Sequence, residues 1–227
     1  MIAIIAAMQP EIKLIKDSVE NPEKIVWKDW EFVCGKLSGK EIVAVQTGVG
    51  KVLAALVTQR MIDVFSPSAI IMTGIAGALN PDLHRGDIVV GTDCLQHDMD
   101  ATVFGFKRGQ IPYTDYRIIE SDPALVAAAL SYPAEKLRTG RILTGDQFVT
   151  GSGDAALSYL TDELEGDVVE MEGAAAGLTA KVNDIPFLLI RVISDKADGK
   201  AKGSYQKFLK SASERSFHLI EYLLEGI

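Results

Sequence analysis

VVEMEGAAAGLTAKVNDIPFLLIRVISD, residues 168–195, is the stretch that decides the fold. Its two apolar runs, 168–169 and 187–190, have the length and aliphatic composition of buried strands. Residues 173–182 between them predict a helix, which Pro186 keeps from continuing. A strand, a helix and a strand in this order predict a right-handed parallel crossover, the repeating unit of α/β folds.

Each of the two strands ends in a cluster of charged residues. The first cluster is Glu170-Met171-Glu172 and the second runs from Arg191 to Asp195. The predicted crossover brings both clusters to one edge of a sheet, where ligands of open α/β sheets bind. We therefore predict an active site at this edge. Strand-end caps and salt bridges that only stabilise the fold remain an alternative explanation of the same residues.

The rest of the chain continues the alternation of strands and helices. Six or more strands predict a three-layer α/β/α fold, one domain over residues 1–227, with a mixed, mostly parallel central sheet. The segments 25–27, 31–37 and 41–47 predict an early meander, which supplies the antiparallel part. Residues 69–73 predict a strand that ends in a glycine turn at 74–77.

Two later segments matter for the site. Residues 155–164 predict one helix, and a final helix begins near Tyr205. The polar stretch from His97 to Arg117 predicts a loop that is longer than usual connections, which favours a functional or interfacial role.

Composition narrows the class of partner and the compartment. A net charge of −8 disfavours nucleic acid and anionic membranes, so we expect a small neutral or cationic ligand. The two cysteines, Cys34 and Cys94, lack metal or redox spacing and indicate a reducing compartment. The chain has no signal-peptide pattern and no apolar stretch of about 18 residues, so we expect a cytoplasmic protein.

Several well-known motifs fail on their spacing. Gly48-Val49-Gly50-Lys51 is neither a P-loop nor a dinucleotide fingerprint, because Val52 follows the lysine and Leu53 replaces the third glycine. Residues 151–153 lack the pattern of a serine nucleophile elbow. Residues 97–100 offer one histidine and two carboxylates without a second histidine nearby, so we expect a hydrogen-bonded loop and no metal site.

Glu11 and Asp195 have different environments, as a catalytic base and acid require. Glu11 lies in the first turn of a predicted helix, where the dipole favours the ionised form that accepts a proton. Asp195 ends a buried strand, where desolvation raises the pKa and retains a proton. Strand alternation places Arg191 on the same face as Asp195, which opposes that effect. An acid and a base beside one pocket suit the cleavage of a glycosidic bond.

Seven blocks of sequence follow one another in a familiar order. They are 7–11, 47–51, 73–77, 97–98 with 110–112, 145–149, 169–172 and 191–198. Together they resemble the 5′-methylthioadenosine/S-adenosylhomocysteine nucleosidase family of the purine nucleoside phosphorylase superfamily, over nearly the whole chain. The resemblance implies the nucleoside phosphorylase-like fold and hydrolysis of these two adenine nucleosides in methionine salvage and adenosylhomocysteine recycling, with no cofactor and no metal.

The resemblance also implies roles for individual residues. Asp195 protonates adenine N7 and Glu11 activates the water that attacks ribose C1′. Glu172 binds the ribose hydroxyls with Met171 against the sugar, supported by Glu170 and Arg191. The other implied substrate positions are Phe148 and Val149 at adenine, Gly77 at a close backbone approach, Met8, Val49 and Tyr205 around the 5′-thioalkyl group, and Ile75 and Ser194.

Phe104 and Pro112 resemble residues that this family lends to the neighbouring subunit's site, which implies a homodimer. Three positions depart from the family pattern. Gln9-Pro10 replaces a common acidic pair, Ile75 replaces a frequent serine, and Tyr205 replaces a frequent phenylalanine.

Three other functions remain open. A futalosine or aminodeoxyfutalosine nucleosidase of menaquinone synthesis would share the adenine and ribose contacts. A purine nucleoside phosphorylase is less favoured, because Met72-Thr73 stand where related phosphorylases hold phosphate with an arginine. A non-catalytic nucleoside-binding protein would lack Glu11 or Asp195, and both are present.

Overall fold

The computed structural model describes residues 1–149, 155–195 and 205–227. The strands are β1 (Ile2–Ala6), β2 (Glu20–Trp27), β3 (Trp30–Leu37), β4 (Lys40–Gln46), β5 (Ala69–Ala78), β6 (Ile88–Gln96), β7 (Ile119–Glu120), β8 (Leu137–Thr144), β9 (Val168–Glu170) and β10 (Phe187–Asp195). The helices are α1 (Gln9–Asp17), α2 (Lys51–Phe65), α3 (Pro123–Leu130), α4 (Tyr159–Asp162), α5 (Gly173–Val182) and α6 (Tyr205–Gly226).

The ten-residue strand β5 organises the sheet. Its first half pairs with β1 in parallel, and its last two residues pair with β9 in antiparallel orientation. On its other side β10 runs parallel to it, and β10, β6, β8 and β9 follow one another back to β5 in a closed ring. β4, β3 and β2 extend the sheet beyond β1 as the predicted meander. Among the described residues, five strand pairings are parallel and five antiparallel.

Helices cover both faces of the sheet, because the buried strands are apolar on both faces. In β1, Ile2 and Ile4 contact the layer that contains α1, α3 and α6, whereas Ala3 and Ile5 contact the layer that contains α2 and α5. This alternation is the two-residue period of a strand. The predicted α/β/α fold with a mixed sheet is confirmed, although parallel and antiparallel pairings are equal in number among the described residues where mostly parallel ones were predicted. The assignment of all 227 residues to one domain stays a prediction.

The predicted parallel crossover between β9 and β10 is wrong. Gly77 of β5 pairs with Val169 in antiparallel orientation and with Asp195 in parallel orientation, so β9 and β10 run in opposite directions. The two charged clusters still meet, because each strand reaches the same end of β5. The clusters come together because β9 and β10 both pair with β5, and not because the two strands run in the same direction.

Two further element predictions need correction. The glycine run 74–77 is part of β5, because β10 pairs with this part of the strand and keeps it extended. The helix predicted over 155–164 is a 3₁₀ turn, Ala155–Leu157, followed by the four-residue α4. The long loop is confirmed, since the segment between β6 and β7 contains only the 3₁₀ turn Thr102–Phe104.

Within the described ranges, no helix is both long and apolar enough to cross a membrane. Cys34 and Cys94 are buried free thiols. The cytoplasmic location stays a prediction.

Candidate active site

A cavity of about 290 Å³ lies where β1, β5, β9 and β10 end. Its volume is close to the lower limit of small-molecule sites, which suits a single nucleoside-sized ligand. The wall is mostly apolar, with a few polar side chains. The residues that line it are Ala7, Met8, Glu11, Val49, Ile75, Ala76, Gly77, Gln147, Phe148, Val149, Val169, Glu170, Met171, Glu172 and Ser194.

Two backbone amides hold the buried carboxylate of Glu11 in the cavity wall. The Met8 N–H donates to Oε2 (2.8 Å) and the Ile75 N–H to Oε1 (3.0 Å). Burial raises the pKa of Glu11, while Arg191 and the two amides oppose the rise. Glu11 lies in the first turn of α1 as predicted, and the amides there favour its ionised form as expected, but burial outweighs them in the direction of its pKa shift. A raised pKa makes its carboxylate a better proton acceptor.

Gly74 lies next to the side chains of both Glu11 and Arg191. A Cβ atom at this position would lie 3.0 Å from Glu11 Oε1 and 3.3 Å from Arg191 Nη1. Either distance is tighter than ordinary van der Waals contact. The glycine therefore lets a carboxylate and a guanidinium group approach the same point of β5.

Glu170 is a buried anchor at the end of β9. Arg191 Nη2 and Thr144 Oγ1 both donate hydrogen bonds to its carboxylate. The Glu172 N–H (3.1 Å) and the Gly173 N–H (2.9 and 2.8 Å) also donate to it, at the N-terminus of α5. These donors use most of the acceptor capacity of one carboxylate. Glu170 is thus suited to fixing the geometry of the site.

The side chain of Arg191, whose orientation the sequence left open, points toward Glu170, to which its Nη2 donates a hydrogen bond. A second nitrogen, Nη1, donates to the Ile190 carbonyl (3.1 Å). The β10 register shifts between Ile193 and Asp195, so Ser194 is an extra residue in the ladder. Such a bulge interrupts the alternation of faces, so the argument that Arg191 and Asp195 share a face loses its basis. Ser194 Oγ donates to the Ala76 carbonyl (3.1 Å) in the cavity wall.

Glu172 is the third carboxylate of the cavity. Its Oε1 accepts a hydrogen bond from the Gly50 N–H (2.7 Å), which precedes α2. Burial raises the pKa of Glu172 to about 7, and the neighbouring Glu170 adds to the rise. Near neutral pH this carboxyl group is present in both protonation states and can accept hydrogen bonds from hydroxyl groups.

The remaining predicted site residues fall into three groups. Met8, Val49, Met171 and Val149 line the cavity, together with Phe148, which is 70% exposed. Phe104 and Pro112 do not line this chain's cavity. The side chains of Asp195 and Tyr205 lie outside the part of the chain that the structure describes, although β10 and α6 fix their positions in the backbone.

Sequence reasoning missed three residues that act around the carboxylates. Thr144 holds Glu170, Gly50 holds Glu172, and Gln147 lines the cavity. Thr144 is a polar residue that ends an apolar strand, the same signal that identified Glu170. No sequence signal indicated that a backbone amide of Gly50 is the partner of Glu172.

The stretch 97–100 is held by hydrogen bonds. His97 is buried, and its Nδ1 lies 3.0 Å from the Tyr159 hydroxyl. Asp98 accepts from Lys51 Nζ (2.7 Å) and from the Asp146 N–H (2.9 Å). The described residues include no group of three His, Cys, Asp or Glu side chains that could hold a metal ion.

Comparisons with known proteins identify the family of the chain. The model of the phosphorylase superfamily matches residues 1–225. A 5′-methylthioadenosine/S-adenosylhomocysteine nucleosidase of Staphylococcus haemolyticus is 39% identical over 228 residues, 99% of each chain. The chain belongs to the phosphorylase superfamily and, within it, to the family of these nucleosidases.

Two solved structures have the same fold over almost their full length. The Neisseria meningitidis nucleosidase of the same name, in complex with methylthio-immucillin-A, has a TM-score of 0.92 at 34% identity, covering 100% of this chain and 99% of the other. The native futalosine hydrolase of Helicobacter pylori has a TM-score of 0.91 at 32% identity, covering 100% and 97%.

Proposed function

We propose that the chain hydrolyses the N-glycosidic bond of 5′-methylthioadenosine and S-adenosylhomocysteine, releasing adenine and the 5-thio-substituted ribose. The observation that carries this proposal is a nucleoside-sized cavity with two separately held carboxylates, Glu11 and Glu172. The full-length similarity to nucleosidases of this name supports the choice of substrate. The reaction contributes to methionine salvage and to the recycling of adenosylhomocysteine.

The proposed chemistry uses one acid and one base. Asp195 gives a proton to adenine N7 while the bond between C1′ and N9 breaks and its electron pair goes to the purine. The oxygen of a water molecule forms a new bond to C1′, and Glu11 takes the proton that this water loses. The raised pKa of Glu11 supports its role as the base. The pairing of Asp195 with Gly77 supports its role, because Gly77 lines the cavity.

The charges around the cavity favour water over phosphate as the nucleophile. Glu11, Glu170 and Glu172 line it, whereas none of the described lining residues is a lysine or an arginine. Arg191 is buried and engaged with Glu170, so it offers no open fork to an incoming anion. A phosphate ion would meet carboxylates there, and a neutral water molecule meets no such repulsion.

The remaining contacts follow the shape of the substrate. Glu172 accepts hydrogen bonds from the ribose hydroxyls with Met171 beside the sugar, and the ion pair of Glu170 with Arg191 fixes this end of the site. Phe148 stacks on adenine and the Val149 backbone reads its edge. Gly77 lets the backbone approach the ligand closely, and Ile75 and Ser194 complete the lining. Met8, Val49 and Tyr205 surround the 5′-thioalkyl group.

A second candidate is the hydrolysis of futalosine or aminodeoxyfutalosine. The similarity to the Helicobacter pylori futalosine hydrolase supports it. A rate comparison on methylthioadenosine, S-adenosylhomocysteine, futalosine and aminodeoxyfutalosine separates the two candidates. We expect the highest kcat/KM on the two thioadenosines. A preference of tenfold or more for either futalosine compound would reverse the assignment.

We also propose a homodimer in which Phe104 and Pro112 complete the partner's site. Phe104 is 79% exposed, and its neighbour Val103 and the loop residue Tyr113 are exposed as well, which leaves a cluster of large apolar side chains on the 97–117 loop. Clusters of this kind mark interaction surfaces. Phe104→Ala should weaken the dimer in sedimentation experiments and raise KM, and Val26→Ala, at an exposed position on β2, serves as the control. An unchanged KM and dimer affinity would contradict this arrangement.

A further inference from the structure

Lys51 lies at the centre of a network that joins three segments around the cavity. Its Nζ lies 2.7 Å from Asp98 Oδ1 and 3.7 Å from Asp146 Oδ2. Asp98 is the second residue of the 97–117 loop, and Asp146 directly precedes the cavity residues 147–149. Lys51 itself is the first residue of α2. One ammonium group thus connects the loop, the 145–149 segment and the start of α2.

The two aspartates are connected to each other and to the backbone of α2. Asp98 Oδ2 accepts from the Asp146 N–H (2.9 Å), and Asp146 Oδ1 accepts from the Lys51 N–H (3.1 Å). Partial burial alone would raise the pKa of Asp98, but the hydrogen bonds from Lys51 and from the Asp146 amide lower it. The charged form of Asp98 is therefore favoured, and the ammonium group of Lys51 lies within 4 Å of both carboxylates.

The network ends at the amide that holds Glu172. Gly50 has a φ of +95°, which favours glycine, and a Cβ there would lie 3.3 Å from Asp146 Oδ1. The Gly50 N–H donates to Glu172 Oε1 at 2.7 Å. The N-cap residue of α2 is Gly50, which has no side chain to cap the helix, so the carboxylates of Glu172 and Asp146 accept hydrogen bonds from the Gly50 and Lys51 amides. The position of the Gly50 amide depends on how firmly the start of α2 is held.

We propose that Lys51 is a positioning residue for the ribose end of the site. It holds Asp98 and Asp146 around the start of α2 and thereby fixes the Gly50 amide that binds the Glu172 carboxylate. This inference rests on the proposed function for its kinetic consequence, because Glu172 is the residue assigned to the ribose hydroxyls. Its structural part, the fixing of Gly50, stands on the contacts alone.

Lys51→Met removes the ammonium group and keeps most of the aliphatic stem. The preference for methylthioadenosine over its 2′-deoxy analogue, measured as a ratio of kcat/KM, should fall about tenfold, the scale of one hydrogen bond to a charged group. Adenine has no ribose and forms no hydrogen bond to Glu172 through it, so its inhibition constant should change less than about twofold. The acidic limb of the pH profile should move to higher pH, because the Gly50 amide favours the ionised form of Glu172.

Three further variants separate positioning from general damage. Lys51→Arg keeps the positive charge and should recover most of the preference for ribose. Asp98→Asn weakens the same network and should change the preference in the same direction as Lys51→Met. Lys36→Met is the matched control. Lys36 Nζ lies 3.8 Å from Glu41 Oε1 in an exposed ion pair, and neither residue lines the cavity. Lys36→Met should leave the preference for the ribose substrate and the pH profile of the activity unchanged.

Amide hydrogen exchange tests the structural part without any turnover. Peptides covering residues 47–53 should exchange faster in Lys51→Met and Asp98→Asn than in the wild type, and at wild-type rate in Lys36→Met. If the wild type releases no adenine while exchange accelerates as expected, the proposed function fails and the positioning role stands. If the wild type releases adenine but Lys51→Met keeps its ribose preference, acidic limb and exchange rate, the positioning role of Lys51 is overturned.

Discussion

Arg191 and Glu170 form an ion pair at the core of the site, with side chains that are only 1% and 3% exposed. The pair joins the middle of β10 to the end of β9, two strands that are not neighbours in the sheet. The same guanidinium group opposes the raised pKa of Glu11 and of Glu172. One cation therefore offsets part of the cost of gathering three carboxylates in a mostly apolar cavity.

Arg191→Met should destabilise the protein strongly. Removing one partner of a buried pair leaves the other charge unpaired, which costs about 3–5 kcal/mol of unfolding free energy. Urea unfolding of wild type and variant measures this difference. Lys36→Met, which breaks an exposed pair, should cost less than about 1 kcal/mol. Equal losses in the two variants would show that the buried pair has no special weight.

Glu172→Gln should make the protein more stable at pH 8 than the wild type. The pKa of Glu172 is about 7 in the folded protein, above its ordinary value, so ionisation above pH 7 costs folding free energy. The cost disappears as the pH falls from about 7 toward the ordinary value, because the folded protein takes up the proton. The variant should gain roughly 2–3 kcal/mol at pH 8 and close to nothing at pH 4.5. A pH-independent difference in urea unfolding would contradict the raised pKa.

Gly74→Ala should impair turnover while the fold persists. The new methyl group would press on Glu11 Oε1 and on Arg191 Nη1 from one point of β5. Displacing the carboxylate from the Ile75 amide should lower kcat at least about tenfold, since misplaced catalytic groups lose this much or more. Gly226→Ala is the control, because nothing lies within 4 Å of a Cβ atom there. Wild-type kcat in Gly74→Ala would mean that the close approach is unimportant.

Glu11→Gln should slow adenine release by at least ~10²-fold, the usual scale for one acid or base group. Adenine binding, measured by calorimetry, should stay within a few-fold of the wild type. Asp17→Asn, on the exposed side of the same helix, should retain full activity. Asp195→Asn should match the loss in Glu11→Gln. Near-normal turnover in either site variant would remove that residue from the mechanism.

Sequence reasoning identified the elements around the site but not their directions. Periodicity and turn residues predicted the strand, helix and strand of 168–195, because these signals are local. The direction of β9 depends on its pairing with the end of β5, a long-range contact that no local signal reports. Both charged clusters were located correctly at one end of the sheet even though the crossover was wrong.

The electrostatics of the site also depend on long-range contacts. The helix position of Glu11 is a local property and was predicted, whereas its burial comes from packing against β5 and decides the direction of its pKa shift. The bulge at Ser194 likewise depends on the register between β10 and β5. Residue types and their order thus predicted which carboxylates matter, and tertiary contacts determine their protonation.

Product analysis of methylthioadenosine turnover, with and without phosphate, tests the central claim most directly. The charge of the cavity predicts adenine and free 5-methylthioribose as the products, at a rate that added phosphate does not increase. Formation of 5-methylthioribose 1-phosphate, or adenine release that requires phosphate, would contradict the assignment as a hydrolase.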